Sequence, residues 1–566
     1  MSDETNEDVA NRVVSEQNVA GVKWTYTVID GTASVGDGSD VAIPSSTSGK
    51  IAIPPTLGGY PVARIGDYAF DHCAELTKVT IPESVTSIGN CAFYGCRRLS
   101  QVTIPNHVTT IGAWAFSRCE VLADLTLPAS VTQIGVYAFS CCKGLENVTI
   151  SDGVTNIGEY AFFCCEGLKS ITIPGSMTEI GNDAFCDCKA LKNLVISDGV
   201  ERIGDGTFRD CEALRSVTIP ASVKDLGGVR WAFSNCTGLM SFVVSDENTK
   251  YSSGNRCLLS KTGETLLRGV GGHVTIPEGV KVIGSWAFSG CHGLTSVEMP
   301  ASVTIIGNSA FRYCKALERV EMSEGVKTIG AGAFEGCEAL VHVAIPASVT
   351  SIGNDAFRDC KKLKGVALPK DLTRIGDYVF VGCEMLESMK IPDRVASIGK
   401  YAFGGCKALT SVTLPARVRS VGKLAFWNCT RLGDVTIPAS VANIEDDAFQ
   451  SCYTIGRVKI TGVTSMDEKT YQKWKDLVGL GCANVKIVPE RDGITIQKDR
   501  VGQREKLNKT DVQGAGIVQD QESRELPPSL KTAKFQRLLM TVFVVVYFAL
   551  TLFLVKSCLK SCSLLK

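Results

Sequence analysis

The chain has 566 residues, 45% of them apolar, with 59 basic side chains set against 59 acidic ones. Balanced charge offers no basic excess to attract nucleic acid. With five histidines scattered along the chain and no Cys-x-x-Cys pair inside the repeats, nothing is spaced as a metal-ligand set. Residues 1–22 are polar and acidic, lack an apolar core, and are expected to be disordered rather than a signal peptide. Residues 23–61 contain the short apolar segments Trp24–Ile29 and Ile51–Ile53 among Gly- and Ser-rich turns, which predicts a β-rich N-terminal cap.

From residue 62 one pattern takes over. Phenylalanine followed three residues later by cysteine occurs sixteen times, from Phe70/Cys73 to Phe449/Cys452, almost always 23 residues apart. A fixed period of this size marks a solenoid whose coils stack on one another. In residues 76–99, Leu76, Val79 and Ile81 fit the Leu-x-x-Leu-x-Leu strand of leucine-rich repeats. Thr80 between the last two points to the opposite face. Glycine then follows an Ile, Leu or Val in fifteen of sixteen coils, Glu445 alone breaking the column. Such regularity predicts either a positive φ or a close coil-to-coil approach. Phe93, Cys96 and Leu99 turn back inside, so the phenylalanines are expected to form a continuous buried spine. The fold class read from the sequence is therefore a β-rich leucine-rich-repeat solenoid. It has about sixteen coils of 23 residues, one parallel strand per coil, and a single C-terminal transmembrane helix.

Twenty-four cysteines do not by themselves report the redox compartment, because sixteen of them are one column of the repeat. Neighbouring positions in a parallel stack lie ~4.8 Å apart, whereas a disulfide prefers Cβ atoms ~3.5–4.5 Å apart. A column of buried thiols is favoured over a disulfide ladder.

The strings LTKVTIPESVTSIGNCAFYGC, LTSVEMPASVTIIGNSAFRYC and LTSVTLPARVRSVGKLAFWNC resemble the treponemal-type leucine-rich repeat of BspA-like surface antigens over residues 60 to 460. The resemblance implies a non-catalytic protein displayed on cell surfaces, with a role in adhesion to host proteins or other cells. It carries over no catalytic residues and no cofactor. The chain also lacks a phosphate-binding Gly-x-x-x-x-Gly-Lys-Ser/Thr loop, a His-Glu-x-x-His pair and a Gly-x-Ser-x-Gly elbow.

The array divides into residues 62–242 and 273–460. Between them the 55-residue gap from Phe233 to Phe288 contains a β-hairpin signal around Lys261–Glu264. Residues 243–272 are read as an inserted hairpin, either an extended coil that keeps stacking or a loop that meets a partner. The outward strand positions form two columns. One holds Thr80, Thr103, Thr126, Thr149 and Thr172; its neighbour holds Lys78, Gln101, Asp124, Asn147 and Ser170. These ten are the candidate ligand surface for a protein or glycan, though threonine also simply suits an exposed strand.

Residues 461–488 are expected to close the array with an amphipathic helix over residues 467–478 and a strand at Val485–Val488. Residues 489–534, charged and Gln-rich, read as a flexible stalk. Residues 538–555 (LLMTVFVVVYFALTLFLV) are uncharged. As a helix they reach ~27 Å, close to bilayer thickness, and predict a membrane span. Residues 556–566 form a short tail in which Cys558 and Cys562 are candidates for lipidation. That reading places the solenoid outside the cell. The lack of a signal peptide points instead to a tail-anchored intracellular scaffold at an organelle membrane. The lysines and arginines flanking the span, and the sequons at Asn147, Asn235, Asn428 and Asn508, leave the choice open.

Overall fold

The computed structural model describes residues 13–36, 41–445, 447–462, 485–490 and 493–498. Each coil of 23 residues contributes to two parallel ladders rather than one. The wide ladder joins strands such as Asp124–Leu127, Asn147–Ile150, Ser170–Ile173 and Asn193–Ile196, whose equivalent residues face each other. The narrow ladder was not anticipated. It is built from two-residue strands, Ser87–Ile88, Thr110–Ile111, Gln133–Ile134 and their successors, placed where the sequence suggested only a bend before glycine. The second residue of each of these strands is buried, which explains the apolar residue preceding that glycine.

The glycines answer to close approach. A Cβ on Gly112 would lie 2.6 Å from the amide nitrogen of Asn90, and one on Gly135 would lie 2.5 Å from that of Ala113. No side chain fits between coils there. Except at Gly227 (56°), positive φ falls elsewhere, in most coils at two residues: two positions before the phenylalanine, as in Trp114 (60°) and Tyr137 (58°), and two after it, as in Arg118 (63°) and Cys141 (59°). A non-glycine residue in this region costs roughly 1–2 kcal/mol. The turn aims its N–H along the stack, where Tyr137 donates to Glu159 O at 2.9 Å and Arg118 to Ser140 O at 2.8 Å.

The spine forms as two runs of stacked rings. Phe70 to Phe233 stack with centroids 4.8 to 5.8 Å apart, and Phe288 to Phe449 with centroids 4.9 to 5.6 Å apart. Trp24 closes one end of the first run edge-on at 6.2 Å, and Phe242 closes the other at 5.3 Å. Within each run the phenylalanine N–H groups donate to the next coil, as Phe116 does to Ala138 O at 2.7 Å; Phe233, which ends the first run, bonds to Trp231 O instead. The cysteines are free thiols among the described residues, and those of the column have a definite task. Fourteen of the sixteen donate Sγ–H to the carbonyl of the phenylalanine one coil earlier, 2.9 to 3.4 Å away, from Cys96 on Phe70 to Cys452 on Phe426. Cys291, after the inserted segment, donates to Gly269 O at 3.8 Å instead.

The inserted segment stacks as part of the solenoid. Strands Tyr251–Gly254, Cys257–Ser260 and Thr265–Arg268 form an antiparallel meander, and the third pairs in parallel with Val282–Ile283. No phenylalanine or cysteine follows Phe233 at the regular spacing, and Arg268 takes their place. Its buried guanidinium donates to Phe233 O at 3.1 Å, Trp286 O at 3.1 Å and Ser289 O at 3.2 Å.

Both ends depart from the expectation. Strand Val13–Val19 pairs antiparallel with Val22–Ile29, so the expected disorder over residues 1–22 fails from residue 13 onward. Its polar sequence, VVSEQNV, is held by backbone pairing rather than by a buried face. Thr32–Val35 then joins Tyr60–Ile65 in parallel and passes the sheet to the first coil. At the far end, Arg457–Thr461 pairs with Gly493–Lys498, which also pairs with Val485–Glu490. The strand expected at Val485–Val488 is present. The stalk expected from residue 489 begins instead within this hairpin, because Ile494 and Ile496 face Ile460 and Val458 across the ladder. The expected helix over residues 467–478 and the span over residues 538–555, with Cys558 and Cys562, lie outside the described residues. Among the described residues no helix is long and apolar enough to cross a membrane.

Two predictions follow from the spine. Burial pushes the Cys236 and Cys257 thiols up to about 12 and Cys119 and Cys337 well above 9.0, so all stay protonated when folded. The unfolded chain releases those protons near its ordinary thiol range. The stabilisation is therefore complete below about pH 9 and is lost as pH rises, by ~1.4 kcal/mol per pH unit for each thiol. Denaturant melts of the reduced chain at pH 8 and pH 10 check this; equal midpoints would contradict it. Replacing Arg268 by Met leaves the Phe233 carbonyl without its donor, so stability should fall by about 1–3 kcal/mol, measured by the same melts.

Candidate binding surface

Along each wide strand, buried and exposed residues alternate, and the exposed set forms the candidate surface. All ten residues singled out from the sequence are exposed. The ladder registers most of them directly: Lys78 opposite Gln101, Asp124 opposite Asn147, Thr126 opposite Thr149, and Asn147 opposite Ser170. Thr103 lies just past the short strand Gln101–Val102. Where these strands pair, equivalent residues face one another without a register shift. The face is also short of charge, with Asn147 Nδ2 donating to Asp124 Oδ1 at 2.8 Å. The threonine column continues into exposed Val195 and Val243, which interrupt its hydroxyls with methyl groups.

In the second run the same column changes chemistry. Glu298 accepts from Thr275 Oγ1 at 3.2 Å, and Glu321 pairs with Arg319. Ala344 and Ala367 then present bare methyl groups. The column thus offers a hydroxyl-rich stretch in the first run and an acidic then an uncharged stretch in the second, carried on separate sheets. Ion pairs between adjacent coils, such as Arg394–Asp371 at 2.9 Å and Lys407–Glu384 at 3.1 Å, neutralise much of the surrounding charge. They are exposed and individually contribute little.

The sequence reading missed a second array. Trp114, Tyr137 and Tyr160, each two positions before a phenylalanine, stack on neighbouring coils with centroids 4.0 and 4.6 Å apart. Tyr94 meets Trp114 edge-on at 6.3 Å, and Arg118 lies over Tyr94 at 5.8 Å. Tyr378 and Tyr401 repeat the arrangement at 5.3 Å. The sequence carries the signal as Tyr or Trp recurring two positions before the phenylalanine. Burial raises the phenol of Tyr94, so that ring remains neutral. Among the described residues no group of three or more His, Cys, Asp or Glu is gathered as a metal centre would require.

Residues 63–192, 178–258, 272–364 and 350–478 match the BspA type Leucine rich repeat region (6 copies), and the chain belongs to that family. Among solved structures it is similar to a leucine rich cell surface protein from Faecalibacterium prausnitzii A2-165. The two share 31% identity over 66% of this chain and 94% of that one, with a TM-score of 0.50. A leucine-rich repeat protein from Bacteroides ovatus ATCC 8483 shares 26% identity over 79% of this chain and 92% of that one, TM-score 0.41. The pneumococcal vaccine antigen PcpA shares 19% identity over 80% and 95%, TM-score 0.38. No curated protein matches the chain.

Because Thr149 is exposed on a strand, where valine is an equally good strand former, its replacement by valine should shift stability by less than ~0.5 kcal/mol. A melt checks this, and a larger loss would mean that the hydroxyl column supports the fold.

Proposed function

We propose that this protein is a membrane-anchored, non-catalytic binding protein that recognises a protein or glycan ligand at the cell surface, in adhesion. The observation that carries the reading is the in-register, exposed, low-charge face from Lys78 and Thr80 to Ser170 and Thr172. Repeated hydroxyls and amides at a constant step suit many weak hydrogen bonds to an extended ligand. Such a face requires no pocket, cofactor or moving part. Membership of the BspA-type family and the likeness to a bacterial cell surface protein support surface display. Residues 538–555 supply the anchor in this reading, with Cys558 and Cys562 as lipidation sites beside it.

Two measurements test it. Impermeant protease added to intact cells should remove the solenoid; complete protection would favour the intracellular scaffold. On cells displaying the full chain, Thr126→Arg together with Thr149→Arg should reduce adhesion to glycoprotein-coated surfaces about tenfold or more, since a charge pair at the centre of the face blocks close docking. Ala344→Arg with Ala367→Arg, in the same column of the second run, should leave adhesion intact. Equal effects from both pairs would remove the first run as the binding face.

A further inference from the structure

Five cysteines that belong to the described residues stand outside the phenylalanine–cysteine column, and two of them fall at equivalent positions of adjacent coils. Cys141 and Cys164 occupy the same place in adjacent coils, two residues after Phe139 and Phe162. Both are left-handed, with φ of 59° and 60°. Their amides donate along the stack, Cys141 to Phe163 O at 2.7 Å and Cys164 to Cys186 O at 2.8 Å. Their side chains therefore leave neighbouring coils in the same direction. Equivalent residues of coils bonded in this way lie ~4.8 Å apart. That spacing is inside the window of about 4.4–6.8 Å between Cα atoms of a disulfide, and its Cβ separation of ~3.5–4.5 Å requires the two side chains to lean together.

Spacing alone does not distinguish this pair, because Cys142 and Cys165 repeat at the same step. Those two are fully buried, and each commits its proton to a phenylalanine carbonyl, 3.2 and 3.3 Å away. Cys141 and Cys164 are free and only half-buried. Polar groups surround them. Ser140 Oγ donates to Cys141 Sγ at 3.6 Å, Cys164 Sγ lies 3.5 Å from Glu166 Oε1, and Lys143 Nζ is 3.3 Å from the same carboxylate oxygen. Cys186, on the next coil, is buried and accepts from Arg209 Nε at 3.3 Å, which leaves it outside the pair.

We propose that Cys141 and Cys164 form a reactive dithiol that a hydroperoxide oxidises to a reversible disulfide joining two adjacent coils. Cys141 is the nucleophile. Its thiol is drawn below the ordinary range first by the hydrogen bond from Cys164, against the opposing effect of burial, with Ser140, Arg118 and Lys143 adding to the effect. The same bond pushes Cys164 up and makes it the resolving partner. The Cys141 thiolate attacks one peroxide oxygen; the O–O bond breaks, and an alkoxide, or hydroxide for hydrogen peroxide, leaves and is protonated. Cys141 is then a sulfenic acid. The sulfur of Cys164, its proton passed to Glu166 or water, attacks that sulfur and expels hydroxide, which is protonated to water. In sum, two thiols and one hydroperoxide give a disulfide, water and an alcohol, or two waters for hydrogen peroxide. Two electrons pass from sulfur to oxygen.

The test treats the reduced full chain with one equivalent of hydrogen peroxide at neutral pH, alkylates it under denaturing conditions, and maps its peptides by mass spectrometry. A Cys141–Cys164 cross-link should form first and disappear with dithiothreitol, while Cys142 and Cys165 stay reduced. In Cys164→Ser, dimedone should trap a sulfenic acid at Cys141. In Cys141→Ser, peroxide consumption should slow by about tenfold, as expected when the most ionised thiol is lost. A first cross-link elsewhere, or equal peroxide consumption in Cys141→Ser, would overturn the proposal. Serine keeps the size of the side chain, and an unchanged circular dichroism spectrum for both variants separates lost chemistry from lost fold.

Discussion

The carbonyl of each spine phenylalanine is where neighbouring coils are fastened. It accepts the N–H of the cysteine in its own coil, as Phe93 O does from Cys96 at 3.3 Å. It also accepts the thiol of the next coil's cysteine, as from Cys119 at 3.4 Å. A thiol is a weak donor but a compact one that tolerates burial. Serine of similar shape would bring a more strongly hydrated hydroxyl into the core, and valine would leave the carbonyl with one partner fewer. The column therefore satisfies a buried acceptor while keeping the interior apolar, and the rings above and below hold the spacing.

Arg268 shows what the fold does when that arrangement is interrupted. The inserted segment brings no ring and no thiol in register, yet Phe233 O still needs a donor inside the stack. A guanidinium supplies it and reaches two more carbonyls on the following coil. Gly269 beside it leaves room for the Phe288 ring, since a Cβ there would come within 1.8 Å of that ring. The second run of rings thus restarts against a polar junction rather than against a continuation of the first.

Much of this was legible in the sequence because a stack converts position into environment. The period gave the coil, the Phe and Cys columns gave the core, and alternation in residues 76–81 gave the outward face. What escaped notice depends on backbone direction. Nothing in Ser87–Ile88 announces a strand, since two residues carry no periodicity, and pairing with Thr110–Ile111 creates it. The left-handed residues accept Trp, Tyr, Arg, Asp and Cys alike, so residue type did not reveal the left-handed backbone, although Tyr and Trp recur at the first of the two positions. At the termini, VVSEQNV and GITIQK are strands because exposed sheet edges needed partners, a requirement that the local sequence does not display. The candidate surface was read correctly as exposed, whereas the aromatic array and the Cys141–Cys164 pair lie in bends where no strand pattern directed attention.

The same in-register stacking generates every surface array on the molecule, hydroxyl, aromatic or ionic, so the account stands on the fastening of coil to coil. The infrared S–H stretching band of the full reduced chain measures it most directly. If the thiols donate to phenylalanine carbonyls, most of the band intensity lies at the lowered frequency of hydrogen-bonded S–H and moves only when the chain unfolds. A band centred at the frequency of free thiols in the native protein would contradict it.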